Sequence, residues 1–359
     1  MLSREAALVE IEALSRDALM RIVGESGLAV ADISLIARSR GAQEQYDADD
    51  GAIIAGDEQH ESTIELRSGT RGSSARRQLA QLWAVLAAVH ASLVGGTKMT
   101  QRELWYRLKT TGLFASPQQV NDRVLDACAA ISHRCGSPCP REALGVTAAP
   151  RGSMTGSVTL LPPVAPGADS AAPPPPQPLD ASVYQVPGDT EAVRALRFGS
   201  DSRARCVLVV EKDSIFRRLI DDRFTERVPC VLITACGYPD LATRALVRAV
   251  VDALGVCAYA LTDHNPHGLA LMLAYKFGTA AHALERNACC PSLHWLGLRS
   301  ADVRPGGLAY DGDGDDDALP ADAFQPYTAR DRSLLQGLRQ RPCASHARTR
   351  GMTWPPDGH

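Results

Sequence analysis

Three apolar runs decide the fold: RCVLVVE (205–211), VPCVLIT (228–234) and VCAYALTD (256–263). Between and after them lie stretches with helical periodicity, SIFRRLIDDRF (214–224), LATRALVRAVVDAL (241–254) and PHGLALMLAYKF (266–277). None of the runs alternates apolar with polar residues, so each is expected to be a strand covered on both faces. Such strands joined by helices are βαβ units, which predicts an α/β domain with a mainly parallel sheet. In open parallel sheets ligands bind beyond the C-terminal strand ends. Two of the three runs end there in a carboxylate, Glu211 and Asp263. Hard cations such as Mg²⁺ take oxygen ligands, so the pair is a candidate metal site. By spacing alone the same acids could instead cap the following helices.

Upstream, residues 162–178 hold eight prolines in seventeen positions, a linker or inserted loop. Before it the charge is uneven. The chain as a whole carries −3, but residues 1–70 have 6 bases against 14 acids, and residues 71–160 have 11 bases against 4 acids. A polyanion responds to that local basic field, not to the total. Helical patterns run over 76–94, 99–110 and 117–132, and three short helices in a basic region fit a helix-turn-helix or winged-helix module. A further helix is expected over 4–23, and the polar, acidic segment 38–74 reads as a linker.

The strings at the strand ends carry a resemblance. Glu211-Lys212-Asp213, then Gly237-Tyr238-Pro239-Asp240-Leu241-Ala242-Thr243-Arg244, then Asp263-His264-Asn265-Pro266-His267-Gly268 resemble the Toprim domain. More narrowly, they resemble the meiotic double-strand-break protein (sporulation-eleven type) and its relative, the A subunit of topoisomerase VI. The basic window agrees. Arg102-Glu103-Leu104-Trp105-Tyr106, followed by Leu113-Phe114-Ala115-Ser116 and Gln118, resembles that family's nucleophile motif. REALGVTAAPRGSMTG (141–156), LHWLGLRSAD (293–302) and PYTARDRSLLQGL (326–338) are also similar to the family.

The resemblance implies a winged-helix domain followed by a Toprim domain. It implies Tyr106 as a nucleophile assisted by Arg102, and Mg²⁺ held by Glu211, Asp263 and Asn265. Asn265 stands where the family usually has an acid, so metal affinity is expected to be weaker. Arg107, Lys109, Arg151, Arg244 and Lys276 are the expected DNA contacts, with Arg123 as a further basic residue of the tyrosine region. Implied partners are double-stranded DNA, a second copy of the chain and a topoisomerase VI B-like subunit, the last docking on the N-terminal helix. The implied place is the nucleus. The activity would be strand breakage through a 5′-phosphotyrosyl link. The alternatives are a topoisomerase VI component that reseals its breaks and a non-catalytic DNA-binding paralogue.

The expected organisation is an N-terminal helix (1–37), an acidic linker (38–74), the tyrosine domain (75–160), a proline-rich linker or insertion (161–194), the Toprim domain (195–340) and a disordered tail (341–359). Acids in the first helix argue against a signal peptide, no run is long enough to span a bilayer, and the ten cysteines are expected to be reduced. Cys135 with Cys139, and Cys289 with Cys290, lack the second pair that a zinc ribbon needs. Asp311–Asp317 departs from a Ca²⁺ loop by having Asp316 where a glycine is required. Gly95-Gly96-Thr97-Lys98 fails the phosphate-loop pattern, so no ATPase is read from it.

Overall fold

The computed structural model describes residues 2–23, 73–161, 175–180, 182–279, 288–299, 302, 326–341 and 343, with the backbone of four strands between 33 and 66. It divides into two compact units: Met1–Gln43, Ala55–Ala149 and Ala281–Glu285 form the first, and Glu44–Ile54, Pro150–Ala280 and Arg286–His359 the second. The Asp311–Asp317 cluster, residues 162–174 and most of the segment after 340 lie outside the described residues.

The chain opens with α1 (Arg4–Val23), followed by β1 (Ile33–Arg38), β2 (Glu44–Asp47), β3 (Ala52–Ala55) and β4 (Glu61–Leu66). These four strands stand largely where composition suggested a linker. β1 and β4 pair antiparallel, Ile33 opposite Leu66 and Arg38 opposite Glu61, and β2 pairs with β3. Alternation such as Glu61-Ser-Thr-Ile-Glu-Leu66 satisfies a strand while leaving the segment polar overall, which hid it from a compositional reading.

The helices of the tyrosine region follow: α2 (Ser73–Val94), β5 (Met99–Thr100), α3 (Gln101–Lys109), α4 (Pro117–Cys135) and β6 (Val146–Thr147). Leu79, Leu82, Leu86 and Val89 of α2 are buried at helical spacing. They share a core with Leu104 and Leu108 of α3, Phe114, and Val120, Val124 and Ile131 of α4. Each end is specified locally. Thr100 and Glu103 form a reciprocal capping box on α3. Ser116 caps α4 ahead of Pro117, and Gly136 stops it in the left-handed conformation at φ 65°. β5 pairs parallel with β6.

The second unit continues with β7 (Ser153–Gly156), β8 (Thr159–Leu161), β9 (Gln177–Pro178), β10 (Tyr184–Gln185), α5 (Thr190–Arg194) and β11 (Arg197–Phe198). Thus the stretch after 174 is not a bare linker. Pro178 is accommodated because β9 lies at the edge of the sheet β11-β8-β9, where its missing N–H is not needed. The Toprim-like strings then form β12 (Cys206–Val210), α6 (Asp213–Asp221), α7 (Phe224–Arg227), β13 (Cys230–Thr234), α8 (Leu241–Leu254), β14 (Cys257–Leu261), α9 (Pro266–Phe277), β15 (His294–Gly297) and α10 (Ala329–Arg339).

The main sheet runs β10-β7-β13-β12-β14-β15. β13, β12, β14 and β15 are mutually parallel, and β7 joins β13 antiparallel. Val207 and Val209 face a core shared with Leu246 and Val250 of α8 and with α9; Leu208 and Val210 face a second core around Phe216 of α6. That is why the runs show no alternation: both faces of the sheet are covered. The chain leaves β12 toward β13 on one side, and leaves β14 toward β15 on the other. The crevice between the ends of β12 and β14 is therefore the sheet's topological switch point.

Where β7 meets β13, Gly156 holds φ 115°, and a Cβ there would stand 2.2 Å from the Cys230 carbonyl oxygen. Gly156→Ala is expected to cost at least roughly 1–3 kcal/mol, seen as an earlier chemical-denaturation midpoint by circular dichroism. An unchanged midpoint would show that this strand junction bears no strain.

Candidate active site

Two clusters carry the candidate chemistry, one in each unit. In the first, Leu104 and Leu108 anchor α3 in the core, which turns Arg102, Tyr106, Arg107 and Lys109 to solvent. Tyr106 is 53% exposed. The Arg102 Nη2 donates to the Tyr106 hydroxyl over a long 3.4 Å, and the guanidinium carbon lies 5.7 Å from the ring centroid. The spacing of four residues puts both on one helix face. That hydrogen bond, then the guanidinium charge and to a smaller extent Lys109, draw the phenol below its ordinary pKa. A phenol whose ionised form is favoured on an exposed face can serve as a nucleophile toward an external substrate. Phe114 is buried in the core, and Gln118 donates to Asp122 at 3.2 Å.

In the second cluster Glu211 directly follows β12, and Asp263 follows β14 by one intervening residue. They meet at the switch point: the Asp263 backbone N–H donates to Glu211 Oε2 at 2.8 Å. The Glu211 carbonyl accepts from Gly237 N–H at 3.0 Å, so the turn after β13 is tied to the same residue. That turn needs left-handed backbone at Cys236 (φ 54°) and φ 111° at Gly237. Burial, and then the Asp263 charge, push the Glu211 carboxyl up, against the Asp263 N–H and the charges of Lys212 and His267. Lys212 Nζ lies 2.8 Å from Asp263 Oδ2. Asp263 and, more weakly, Glu211 in turn hold that ammonium above its usual pKa, against partial burial.

Asn265 has a second duty. Its Oδ1 accepts from Gly268 N–H at 2.8 Å, which makes it the N-cap of α9. Gly268 keeps that first turn close, since a Cβ there would fall 2.3 Å from the Asp263 carbonyl oxygen. Among the described residues no three His, Cys, Asp or Glu side chains converge. The donor set at the crevice is two carboxylates, with the Asn265 amide engaged as a cap. This fits Mg²⁺, which is commonly bound by one or two carboxylates together with water and substrate phosphates.

The other expected contacts divide. Arg107, Lys109 and Arg151 are exposed. Arg244 and Lys276, expected as DNA contacts, are buried: Lys276 Nζ donates to the carbonyls of Pro291 (2.6 Å) and Leu293 (2.5 Å). The Arg244 Nη2 lies against Cys289 Sγ at 3.7 Å. Arg123 is likewise buried, paired with Asp126 at 2.8 Å. All three charges serve the interior here, a correction to the sequence reading. Asp240 caps α8 through the Thr243 N–H at 2.7 Å. His267 reaches Asp331 of α10 at 3.2 Å. Composition gave no sign of Lys212 as a counter-ion; its place beside Glu211 in the Glu-Lys-Asp string was the available signal.

Comparisons with known proteins bear on both clusters. A family model for the Toprim domain of the topoisomerase 6 A-subunit/Spo11 group matches residues 206–339, and one described as "Type IIB DNA topoisomerase" matches 77–146. The chain belongs to the Spo11/topoisomerase VI A-subunit family. It is 33% identical over 275 residues to meiotic recombination protein SPO11-2 of Oryza sativa subsp. indica, covering 76% of this chain and 64% of that protein. It is 29% identical over 342 residues to SPO11-2 of Arabidopsis thaliana, covering 94% and 81%. It is 34% identical over 221 residues to the A3 subunit of DNA topoisomerase 6 of Oryza sativa subsp. indica, covering 61% and 46%. The chain thus spans just under two thirds of the rice SPO11-2 length. Both clusters fall inside the matched family regions: Arg102 and Tyr106 in the topoisomerase stretch, Glu211 and Asp263 in the Toprim stretch.

The family's two segments suggest two local tests. Arg102→Gln should return the Tyr106 phenol toward about 10, read by pH titration of ¹³Cζ-labelled tyrosine with Tyr106→Phe as the assignment. No movement would show that Arg102 does not tune the phenol. At high salt, where the charge added beside Glu211 and Asp263 is screened, Asn265→Asp should leave stability nearly unchanged, and Asn265→Ala should lose about 1 kcal/mol with the cap, compared by chemical denaturation. Equal stability of the two variants would remove the capping role.

Proposed function

We propose that this chain is the catalytic subunit that makes DNA double-strand breaks and so starts meiotic recombination. The observation that carries the reading is the solvent-facing Arg102–Tyr106 pair in a chain that also holds Glu211 and Asp263 at the Toprim crevice. The Tyr106 oxygen attacks a backbone phosphorus, and the bond from phosphorus to the 3′ oxygen breaks. The strand is left with a 5′-phosphotyrosyl end and a 3′-hydroxyl, which takes up a proton as the phenol gives one up. One phosphodiester replaces another, so no external energy source is consumed. Arg102 stabilises the phenolate and then the phosphate charge, and it stays protonated throughout. Glu211 and Asp263 would hold Mg²⁺, with Asn265 as a weaker oxygen donor. When bound, the ion supplies charge neutralisation at the phosphate and at the departing 3′ oxygen.

One tyrosine breaks one strand, so a double-strand break calls for two copies, and a homodimer follows from that count. Sharing each site between copies, with the tyrosine of one and the acids of the other, is the arrangement this reading takes. α2, α3 and α4 with the β5–β6 pair are read as the winged-helix module. Arg107, Lys109 and Arg151 are read as backbone contacts, which makes binding salt-sensitive and nearly indifferent to sequence. The reading includes a topoisomerase VI B-like partner docked on α1, which leaves Val9, Leu19 and Met20 about 60% exposed. It places the protein in the nucleus. The likeness to the rice topoisomerase 6 A3 protein favours a second reading, a type IIB topoisomerase component that reseals its breaks.

The test is covalent trapping. The protein with its B-like partner, DNA and Mg²⁺ is denatured, and protein attached to 5′ ends is measured. The expected adduct disappears in Tyr106→Phe and falls to background in Glu211→Gln and Asp263→Asn. ATP-dependent relaxation of supercoiled DNA would select the topoisomerase reading. DNA binding with no adduct would make the chain a non-catalytic paralogue and overturn the proposal.

A further inference from the structure

We infer that Lys212 is an exchangeable counter-ion of the acid crevice: its ammonium holds the cation position beside Asp263 until a divalent ion enters, and then turns to phosphate. The inference rests on the metal reading of Glu211 and Asp263.

Lys212 is the residue after Glu211 and lies at the mouth of the crevice. Its Nζ stands 2.8 Å from Asp263 Oδ2, while Glu211 Oε2 accepts from the Asp263 backbone N–H. The Asp263 backbone thus ties the two acids together, and Lys212 is the cation paired with the Asp263 carboxylate. Two half-buried carboxylates this close repel each other unless a positive charge lies between or beside them. The Lys212 side chain is 53% exposed and that of Asp263 is 33% exposed. An ion pair that open to solvent is weak, so it can yield to a divalent ion. Lys212 is also the N-cap position of α6 yet makes no capping hydrogen bond with its side chain, so the cap does not hold it in place.

Lysine suits exchange better than arginine. A compact ammonium on four flexible carbons binds a single carboxylate oxygen as a point charge, whereas a guanidinium would lock both oxygens in a fork. A divalent ion at Asp263 would repel the ammonium, which must then move outward into solvent. A phosphate drawn to the filled crevice would meet the charge of the displaced ammonium. One residue would thus neutralise Asp263 before the ion enters and meet the phosphate after it, which would make metal and DNA binding mutually favourable.

The test uses the full chain and two readouts. Mg²⁺ alone, and separately Ca²⁺ alone, is titrated calorimetrically into the native protein, Lys212→Met and Lys212→Arg. Lys212→Met should bind the ion roughly 2- to 5-fold more tightly, because no ammonium competes. Lys212→Arg should bind as the native chain does or more weakly, which excludes a simple effect of altering the position. DNA affinity is then measured with and without Ca²⁺. The gain that Ca²⁺ brings in the native protein should shrink several-fold in Lys212→Met. Equal or weaker ion binding by Lys212→Met, with the native chain binding normally, overturns the counter-ion role and leaves the metal site standing. An undiminished Ca²⁺ gain in DNA affinity overturns the phosphate contact. Failure of all three proteins to bind either ion overturns the metal reading itself, and this inference with it.

Discussion

The hydrogen bond from the Asp263 backbone to the Glu211 carboxylate closes the gap between two strand ends whose helices depart in opposite directions. A doubly covered parallel sheet forces such a gap wherever its winding reverses. Strand ends leave backbone N–H groups unpaired, and a carboxylate is the side chain that can accept one and still keep lone pairs for a cation. Most of the local architecture follows from holding that contact. Gly237 ties its turn to the Glu211 carbonyl, Gly268 lets α9 start against Asp263, and Asn265 caps that start. The cores above and below β12 keep the strand end from shifting.

The tyrosine cluster is built on the opposite principle. Its residues project from a short helix secured at its N-terminus by a reciprocal cap and along one face by Leu104 and Leu108. Rigidity comes from the buried face, so the exposed face can be polar and still fixed in direction. Arg102 and Tyr106 meet on that face with no buried support. Their mutual effect is electrostatic and open to screening by salt.

How legible these features were in the sequence depended on how many side chains specified each one. α8 and α9 stand at the bounds their periodicity gave, because Asp240 and Asn265 cap them and Gly255 ends α8. The three parallel strands were legible because double burial removes alternation and leaves unbroken Val, Leu and Ile. The strands between 33 and 66 were not, since half-polar pairs in an acidic stretch resemble a linker. The fate of the basic residues was the least legible. Arg244 and Lys276 have the composition of a DNA contact, but each sits on a helix face that packs into the sheet's core. Periodicity places both positions on or beside the apolar stripe: Lys276 lies between Tyr275 and Phe277, and Arg244 is three residues after Leu241 and three before Val247.

Asn265 shows how a single substitution divides labour at such a site. A carboxylate there could cap α9 as well as the amide does, because capping asks only for an acceptor aimed at the Gly268 N–H. What the amide gives up is charge. With Asp263, Glu211 and a third acid, the crevice would carry three negative groups against one lysine. With Asn265 it carries two, and the ammonium of Lys212 offsets half of that. The cost of bringing the acids together before any ion arrives is therefore lower, and so is the attraction for the ion once it comes. On the proposed metal reading, a site of this composition would draw part of its ion affinity from whatever anion enters with the ion. Under the proposed function, that division of charge would tie metal occupancy to the presence of the phosphate backbone.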